Sequence, residues 1–228
     1  MLIEVIATNI ADVHTASASG ADRIELVTGI QEGGLTPSAA MIAAAVTAAT
    51  IPVQVMIRPH SQSFCYSSED LQIMRNDIQI AKDNGAAGVV LGVLNEQKEI
   101  DQAALESLLK VAAGLKVTFH RAFDELDDQF AGLDVLSQYK GEIAQILTSG
   151  GKPKAIDALE QLAQLQIAAA KHNIAILGGR GLSPENSKVF VEHTKVKQVH
   201  YGSAVRYNNS FMEAINPERI AQIRSIVK

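Results

Sequence analysis

A chain of 228 residues and 24.4 kDa would expose roughly 10,000 Å² when folded against roughly 35,000 Å² when open, so a large core is available. Hydrophobic residues make up 47%, charged residues 20%, and the net charge is −5, which excludes a disordered or fibrous chain. With 20 basic against 25 acidic residues and no Lys/Arg-rich run, there is no electrostatic footprint for nucleic acid or an anionic membrane, and neither is expected as a partner.

The single cysteine, Cys65, allows no internal disulfide, and Met1-Leu2-Ile3-Glu4-Val5 has neither a basic region nor a cleavage site, so a cytoplasmic location is expected. Apolar runs stop short of the ~18 residues that a bilayer requires. Aromatics at 4% without tryptophan argue against a stacking platform for bases or sugars.

In chain order, short β-branched runs alternate with longer Ala-rich stretches of helical period. The spacing predicts strands over 2–7, 23–28, 53–58, 88–93, 116–122, 144–148, 174–178 and 198–202. Helices are predicted over 9–19, 37–49, 68–84, 102–113, 128–139, 153–171, 184–193 and 217–226. Thr36-Pro37, Ser183-Pro184 and Asn216-Pro217 each place a capping oxygen before a proline at the first helical position. Gly20, Gly85 and Gly114 stand where left-handed residues would stop the preceding helices. Eight strand–helix units in this length match an α/β fold of the (β/α)8 TIM-barrel type, as one domain over 1–228. The first turn, Ala7-Thr8-Asn9-Ile10, has no glycine, so a dinucleotide-binding open sheet lacks its fingerprint.

Barrel strands are covered on both faces and should be apolar, so polar residues inside them carry information. Glu4 falls in the first strand, Glu25 in the second, Arg58 at the end of the third, His120 and Arg121 in the fifth with Asp124 beyond, Thr148 in the sixth and His200 in the eighth. Most lie toward C-terminal strand ends, where barrel active sites form. Arg23 with Glu25, Gln54 with Met56 and Arg58, Thr118 with His120, and Gln198 with His200 share strand faces. Glu4, Glu25, Arg58, His120, Arg121, Asp124 and His200 are therefore the candidate catalytic set. Neighbouring carboxylates can serve as acid or base, the histidines titrate near neutrality, and an arginine can hold a carboxylate or phosphate. The same residues would alternatively form ion pairs that plug the barrel.

Glycine-rich turns offer candidate anion donors at Thr148, Ser149 and Gly150, at Gly178 and Gly179, and at Gly202 and Ser203. These glycines would equally serve tight strand-to-helix turns. No HxH or HExxH spacing marks a metal site.

Six segments together resemble one known family. They are Gly20-Ala21-Asp22-Arg23-Ile24-Glu25-Leu26, Gly33-Gly34-Leu35-Thr36-Pro37-Ser38, Val55-Met56-Ile57-Arg58-Pro59, Gly88-Val89-Val90-Leu91-Gly92-Val93-Leu94, Thr118-Phe119-His120-Arg121-Ala122-Phe123-Asp124 and Ile146-Leu147-Thr148-Ser149-Gly150-Gly151. The chain resembles the CutC family of copper homeostasis proteins. That resemblance implies a cytoplasmic (β/α)8 barrel that self-associates, taken here as a homodimer, with copper as its metal. The family's polar mouth residues would map onto the same seven positions. Cysteines common in the family near the first two strand ends are absent from Glu4-Val5-Ile6-Ala7 and Glu25-Leu26-Val27-Thr28. Copper(I) prefers soft ligands, which leaves Cys65 and Met56, with His60 beside them, as the metal candidates. The alternative expectation is an enzyme that acts on a small phosphate- or carboxylate-bearing metabolite by acid/base chemistry at the barrel mouth.

Overall fold

The computed structural model describes residues 1–227. Its eight strands are β1 (Leu2–Ala7), β2 (Arg23–Leu26), β3 (Val53–Met56), β4 (Gly88–Leu91), β5 (Lys116–Phe119), β6 (Ile143–Thr148), β7 (Ala175–Gly178) and β8 (Gln198–Tyr201). They run parallel and close into a barrel in sequence order, with β1 hydrogen-bonded to both β2 and β8. Eight helices alternate with them: α1 (Ile10–Ala18), α2 (Ala39–Ala48), α3 (Ser68–Asp83), α4 (Gln102–Val111), α5 (Gln129–Ser137), α6 (Leu159–Ala170), α7 (Pro184–Thr194) and α8 (Pro217–Ile226). This is the expected (β/α)8 TIM barrel, and its accessible surface of 9855 Å² agrees with the size scaling. Among the described residues no helix is long and apolar enough to cross a membrane.

The strand pleat divides the core in two. Ile3, Val5, Ile24, Leu26, Val55, Val89, Phe119, Ile146, Ile176 and Val199 belong to one continuous apolar cluster with residues of the helices. Ile6, Val27, Met56 and Val90 form a separate small cluster, placed by the two-residue side-chain period inside the barrel. Below it the interior is polar, and Glu4, Arg23, Gln54, Thr118 and Gln145 are all buried there.

The helix ends follow local chemistry. Gly20, Gly85 and Gly114 all have positive φ, a conformation that costs an L side chain strain. Asn216 caps α8 by accepting from the Glu218 N–H at 2.9 Å, and Asn186 Oδ1 accepts from the Ser183 N–H at 2.9 Å at the start of α7. Two expected starts are corrected. The helix expected from residue 37 begins at Ala39 with Ser38 as its cap, because the Thr36 hydroxyl accepts instead from the Arg58 N–H at 2.8 Å. The helix expected from residue 153 begins at Leu159. Ahead of it a 3-10 turn over Ala155–Ala158 is tied to the loop after β7, the Ala155 N–H donating to the Arg180 carbonyl at 2.9 Å.

Several strands also stop short of their expected ends, so Arg58 and His120 stand just beyond β3 and β5. His120 stays tethered through its N–H to the Leu91 carbonyl at 2.7 Å. Its imidazole then caps a 3-10 turn over Arg121–Glu125.

The long β8–α8 connection is anchored by Arg206, which is 1% exposed. Its guanidinium donates to both Asp12 oxygens, at 2.5 and 3.2 Å, and to the carbonyls of Glu213 and Ile6. Removing one member of a buried pair strands the other's charge. Arg206→Met is therefore expected to cost about 3–5 kcal/mol in urea unfolding, and adding Asp12→Asn should recover part of that loss; an unchanged midpoint for the single variant would contradict the pairing.

Candidate functional site

The polar floor of the barrel is organised by Arg23. Its Nε donates to Glu4 at 2.5 Å, one terminal nitrogen to Gln145 at 2.9 Å and the other to Gln198 at 2.9 Å. Gln145 in turn donates to Thr118 at 2.6 Å. Glu4 also meets His200 Nδ1 at 2.8 Å. Burial alone would push the Glu4 carboxyl up, but the Arg23 charge and the His200 contacts outweigh it and hold the carboxyl below its ordinary range. Burial pulls the His200 imidazolium down, while Glu25 and Glu4 overcome that and raise it.

Above this floor opens a cavity of about 990 Å³ at the C-terminal mouth. Glu25, Arg58, His120, Arg121, Asp124, His200, Gly202, Ser203 and Met56 reach its wall. Glu4, expected at the mouth, is a correction: it is not on the wall, because β1 and β2 are staggered so that Glu4 pairs with Arg23 and Ile6 pairs with Glu25.

Glu25 is 2% exposed, its Oε2 lies 3.9 Å from His200 Nε2, and its Oε1 is buried without a hydrogen-bond partner. Desolvation by burial, reinforced by the Glu4 charge and opposed by His200, Arg23 and Arg121, raises its pKa to about 7. His120 behaves oppositely. Burial and the charges of Arg58 and Arg121 bring its pKa down to about 3, so it is neutral across the physiological range. The Ala122 N–H donates to His120 Nδ1 at 3.0 Å. The proton therefore sits on Nε2, which is buried and unpartnered.

Arg58 is 8% exposed, yet no carboxylate oxygen among the described residues lies within ion-pair distance of it. Its terminal nitrogens donate only to the carbonyls of Glu32, Gly34 and Ser61, its Nε has no partner, and its guanidinium carbon lies 4.6 Å from the Phe64 ring centre.

The turn after β6 is organised around an anion of the chain's own. Thr148 Oγ1 donates to Asp124 at 2.5 Å, the Ser149 N–H and hydroxyl donate at 3.0–3.1 Å, and the Gly151 N–H donates at 3.2 Å. The Gly150 N–H goes to Thr148 Oγ1 at 2.9 Å. Arg121 completes the clamp at 3.1 Å. Of the expected anion arm, Thr148 and Ser149 thus have their donors turned onto Asp124 and Gly150 has its N–H turned onto Thr148, while Asp124, expected among the catalytic groups, joins two loops. Gly178 and Gly179 are likewise off the cavity wall.

Sequence reasoning missed much of the rim, where Lys152, Lys154, Arg180 and Arg219 stand with Glu32, Phe64 and Phe211. Lys152, Lys154, Arg180, Phe64 and Phe211 are loop residues, with no periodicity to betray them, and Arg219 stands in the first turn of α8. The pairs Gly-Gly-Arg and Gly-Gly-Lys at the strand ends were the one available signal.

Met56 is on the cavity wall and Cys65 is not; desolvation and the nearby Glu96, Glu125 and Asp101 charges push the Cys65 thiol up. His60 is paired with Asp70 at 3.4 Å. Donor atoms of Glu4, Glu25 and His200 do lie within 4.8 Å of one another. They offer only oxygen and nitrogen, and Glu4 is already engaged by Arg23 and His200. This set does not fit copper(I), which favours thiolate and thioether ligands.

The CutC family profile matches residues 1–205. A relative from Pasteurella multocida named family protein CutC is 40% identical over 200 residues, covering 88% of this chain and 81% of that protein. One of the same name from Glaesserella parasuis is 39% identical over 220 residues, covering 96% and 89%. The crystal structure of a Streptococcus agalactiae protein bearing the name copper homeostasis protein CutC superposes with a TM-score of 0.82 at 33% identity, covering 89% of this chain and 98% of that one. Phosphoribosyl anthranilate isomerase from Thermococcus kodakaraensis superposes with a TM-score of 0.64 at 16% identity, covering 100% and 98%, a likeness of fold alone.

Glu25 links stability to pH. Its folded pKa of about 7 is raised above the ordinary 4.5, so the stability it contributes is present below 4.5 and is lost as pH rises through 7. Glu25→Gln, neutral throughout, is expected to exceed wild type by about 1–3 kcal/mol at pH 8, with the gap closing as pH falls toward 4.5. Urea midpoints measured across that range check it, and a gap that widened in acid would refute the assignment.

Proposed function

This chain is a member of the CutC family, and from its mouth geometry we propose that it is an enzyme of acid/base chemistry acting on a small phosphate- or carboxylate-bearing molecule. The observation that carries the reading is Arg58. A guanidinium held against carbonyl oxygens in a cavity wall, with no carboxylate of the described residues within ion-pair distance, is a site that an anionic ligand would complete. Arg121, Arg180, Arg219, Lys152 and Lys154 reach the same cavity and would draw such a ligand inward.

Glu25 supplies the proton-transfer group. A buried carboxyl with pKa about 7 is both a competent base and a competent acid at neutral pH. His120 supplies an uncharged N–H donor at a fixed tautomer. His200, held by Glu4 and raised in its affinity for a proton by Glu25 and Glu4, lies beside Glu25. The copper role attached to the family by name has weaker support here: the cavity wall offers one thioether, Met56, and no thiol. We place the protein in the cytoplasm as a homodimer, in keeping with the family resemblance and the lone cysteine.

Arg58→Met strands no carboxylate, so it should stay folded, with a melting temperature within a few degrees of wild type. In a thermal-shift screen of phosphorylated and carboxylated metabolites, wild type is expected to be stabilised by at least one compound, and Arg58→Met and His120→Ala to lose that shift. Competition against a copper(I) chelator should show weak uptake that falls further in Cys65→Ser. A screen with no hit, together with tight copper uptake, would overturn the proposal.

A further inference from the structure

Three buried polar atoms of the cavity lining have no hydrogen-bond partner among the described residues: Arg58 Nε, and a pair that is chemically complementary. One is Glu25 Oε1, an acceptor; the other is His120 Nε2, which must be a donor because Nδ1 already accepts from the Ala122 N–H. The imidazole has little room to turn away. A Cβ added at Gly92 would fall 2.6 Å from His120 Nδ1, and the Phe64 ring lies 4.9 Å from the imidazole centre. The charge of Arg121 acts on both groups, so both lie within its field.

Resting on the anion-and-acid/base reading above, we infer that this cavity abstracts a proton from a carbon adjacent to a carbonyl, on a substrate that also carries a phosphate or carboxylate for Arg58. An uncharged N–H in the cavity wall suits a carbonyl oxygen, because its attraction grows as negative charge develops there. A charged donor would be taken by the substrate's anionic end. A carboxylate deprived of hydration is correspondingly a strong base toward carbon.

The step balances within these groups. Glu25 takes the proton from carbon, and the C–H electron pair becomes the new carbon–carbon π bond. The carbonyl π pair moves to oxygen, which accepts from His120 Nε2–H. Return of the proton from the Glu25 carboxylic acid restores the carbonyl compound. No oxidant, reductant or co-substrate enters.

The probe is 1-chloro-3-hydroxyacetone phosphate, whose phosphate, ketone and chloromethyl carbon address Arg58, His120 and Glu25 in turn. Attack by the Glu25 carboxylate on the chloromethyl carbon expels chloride and leaves an ester. Peptide mass spectrometry on the Cys65→Ser protein, which lacks the competing thiol, should find one adduct, on Glu25. Excess inorganic phosphate should block it, and Arg58→Met, His120→Ala and Gly92→Ala should each slow it at least tenfold. Its rate should fall in acid as Glu25 protonates, with an inflection near pH 7 set by the groups facing it: His200 from β8, Glu4 from β1, Arg23 on its own strand and Arg121 from beyond β5. A Glu25→Asp protein, shorter by one methylene, should label more slowly yet at the same position. Phosphate that stabilises wild type but not Arg58→Met, without any ester at Glu25, would overturn the carbonyl inference and leave the anion reading standing. A probe that reacts only at other carboxylates would overturn it too. Absence of any phosphate effect would overturn the anion reading beneath it.

Discussion

The Arg23 guanidinium, enclosed within the barrel, sets the terms for everything above it. A cation in that position must have each of its nitrogens answered, and β1, β6 and β8 each send one side chain to do so: Glu4, Gln145 and Gln198. This ties strands that are distant in sequence and fixes the Glu4 carboxylate as an anion. The fixed anion then meets His200 at its Nδ1 and, together with Glu25, raises the affinity of that imidazole for a proton. Glu25 is left as the next carboxyl up, near a negative neighbour, out of water and lacking a hydrogen bond for one oxygen. Its basicity is thus a consequence of how the floor is closed.

Arginines with similar burial have different fates, and the contrast locates the site. Arg23 and Arg206 each meet a carboxylate at 2.5 Å, which is what a purely structural buried cation requires. Arg58 is nearly as buried and meets only carbonyl dipoles and an aromatic face. Those contacts position the guanidinium without neutralising it. The fold accepts that cost at the mouth of a cavity and nowhere else among its buried arginines, as a ligand site would require.

Much of this was legible in the sequence. Eight alternations of β-branched and Ala-rich segments specify the barrel, and polar residues interrupting apolar strands marked Glu25, Arg58, His120 and His200 before any contact was known. Register was not legible. Glu4 and Glu25 each stand third in their strands, yet the stagger of a closed barrel sets Glu4 against Arg23 and lifts Glu25 one layer higher. Hydrogen-bond saturation was not legible either. Thr148, Ser149 and Gly151 have the look of an anion cradle, and they are one, but its anion is Asp124, brought from 24 or more residues away. The rim cations Lys152, Lys154 and Arg180 sit on irregular loops, where spacing carries no orientation.

Burial drives Glu25 and His120 toward their uncharged forms, the one by raising and the other by lowering its affinity for a proton. The surrounding cations do not treat them alike. Arg121 stabilises Glu25 as an anion and opposes the burial effect, whereas Arg58 and Arg121 reinforce it at His120. An anionic group docking on Arg58 would cancel part of the positive field at His120 and would bring its own negative charge toward Glu25, raising both pKa values. For His120, which starts near 3, a rise of a unit or two still leaves a neutral donor at pH 7. For Glu25, which starts near 7, the same rise strengthens the base while reducing the fraction present as carboxylate, so the two effects oppose each other around neutrality. The wide separation of the two starting values is therefore what lets the site admit an anion without losing either its donor or its base.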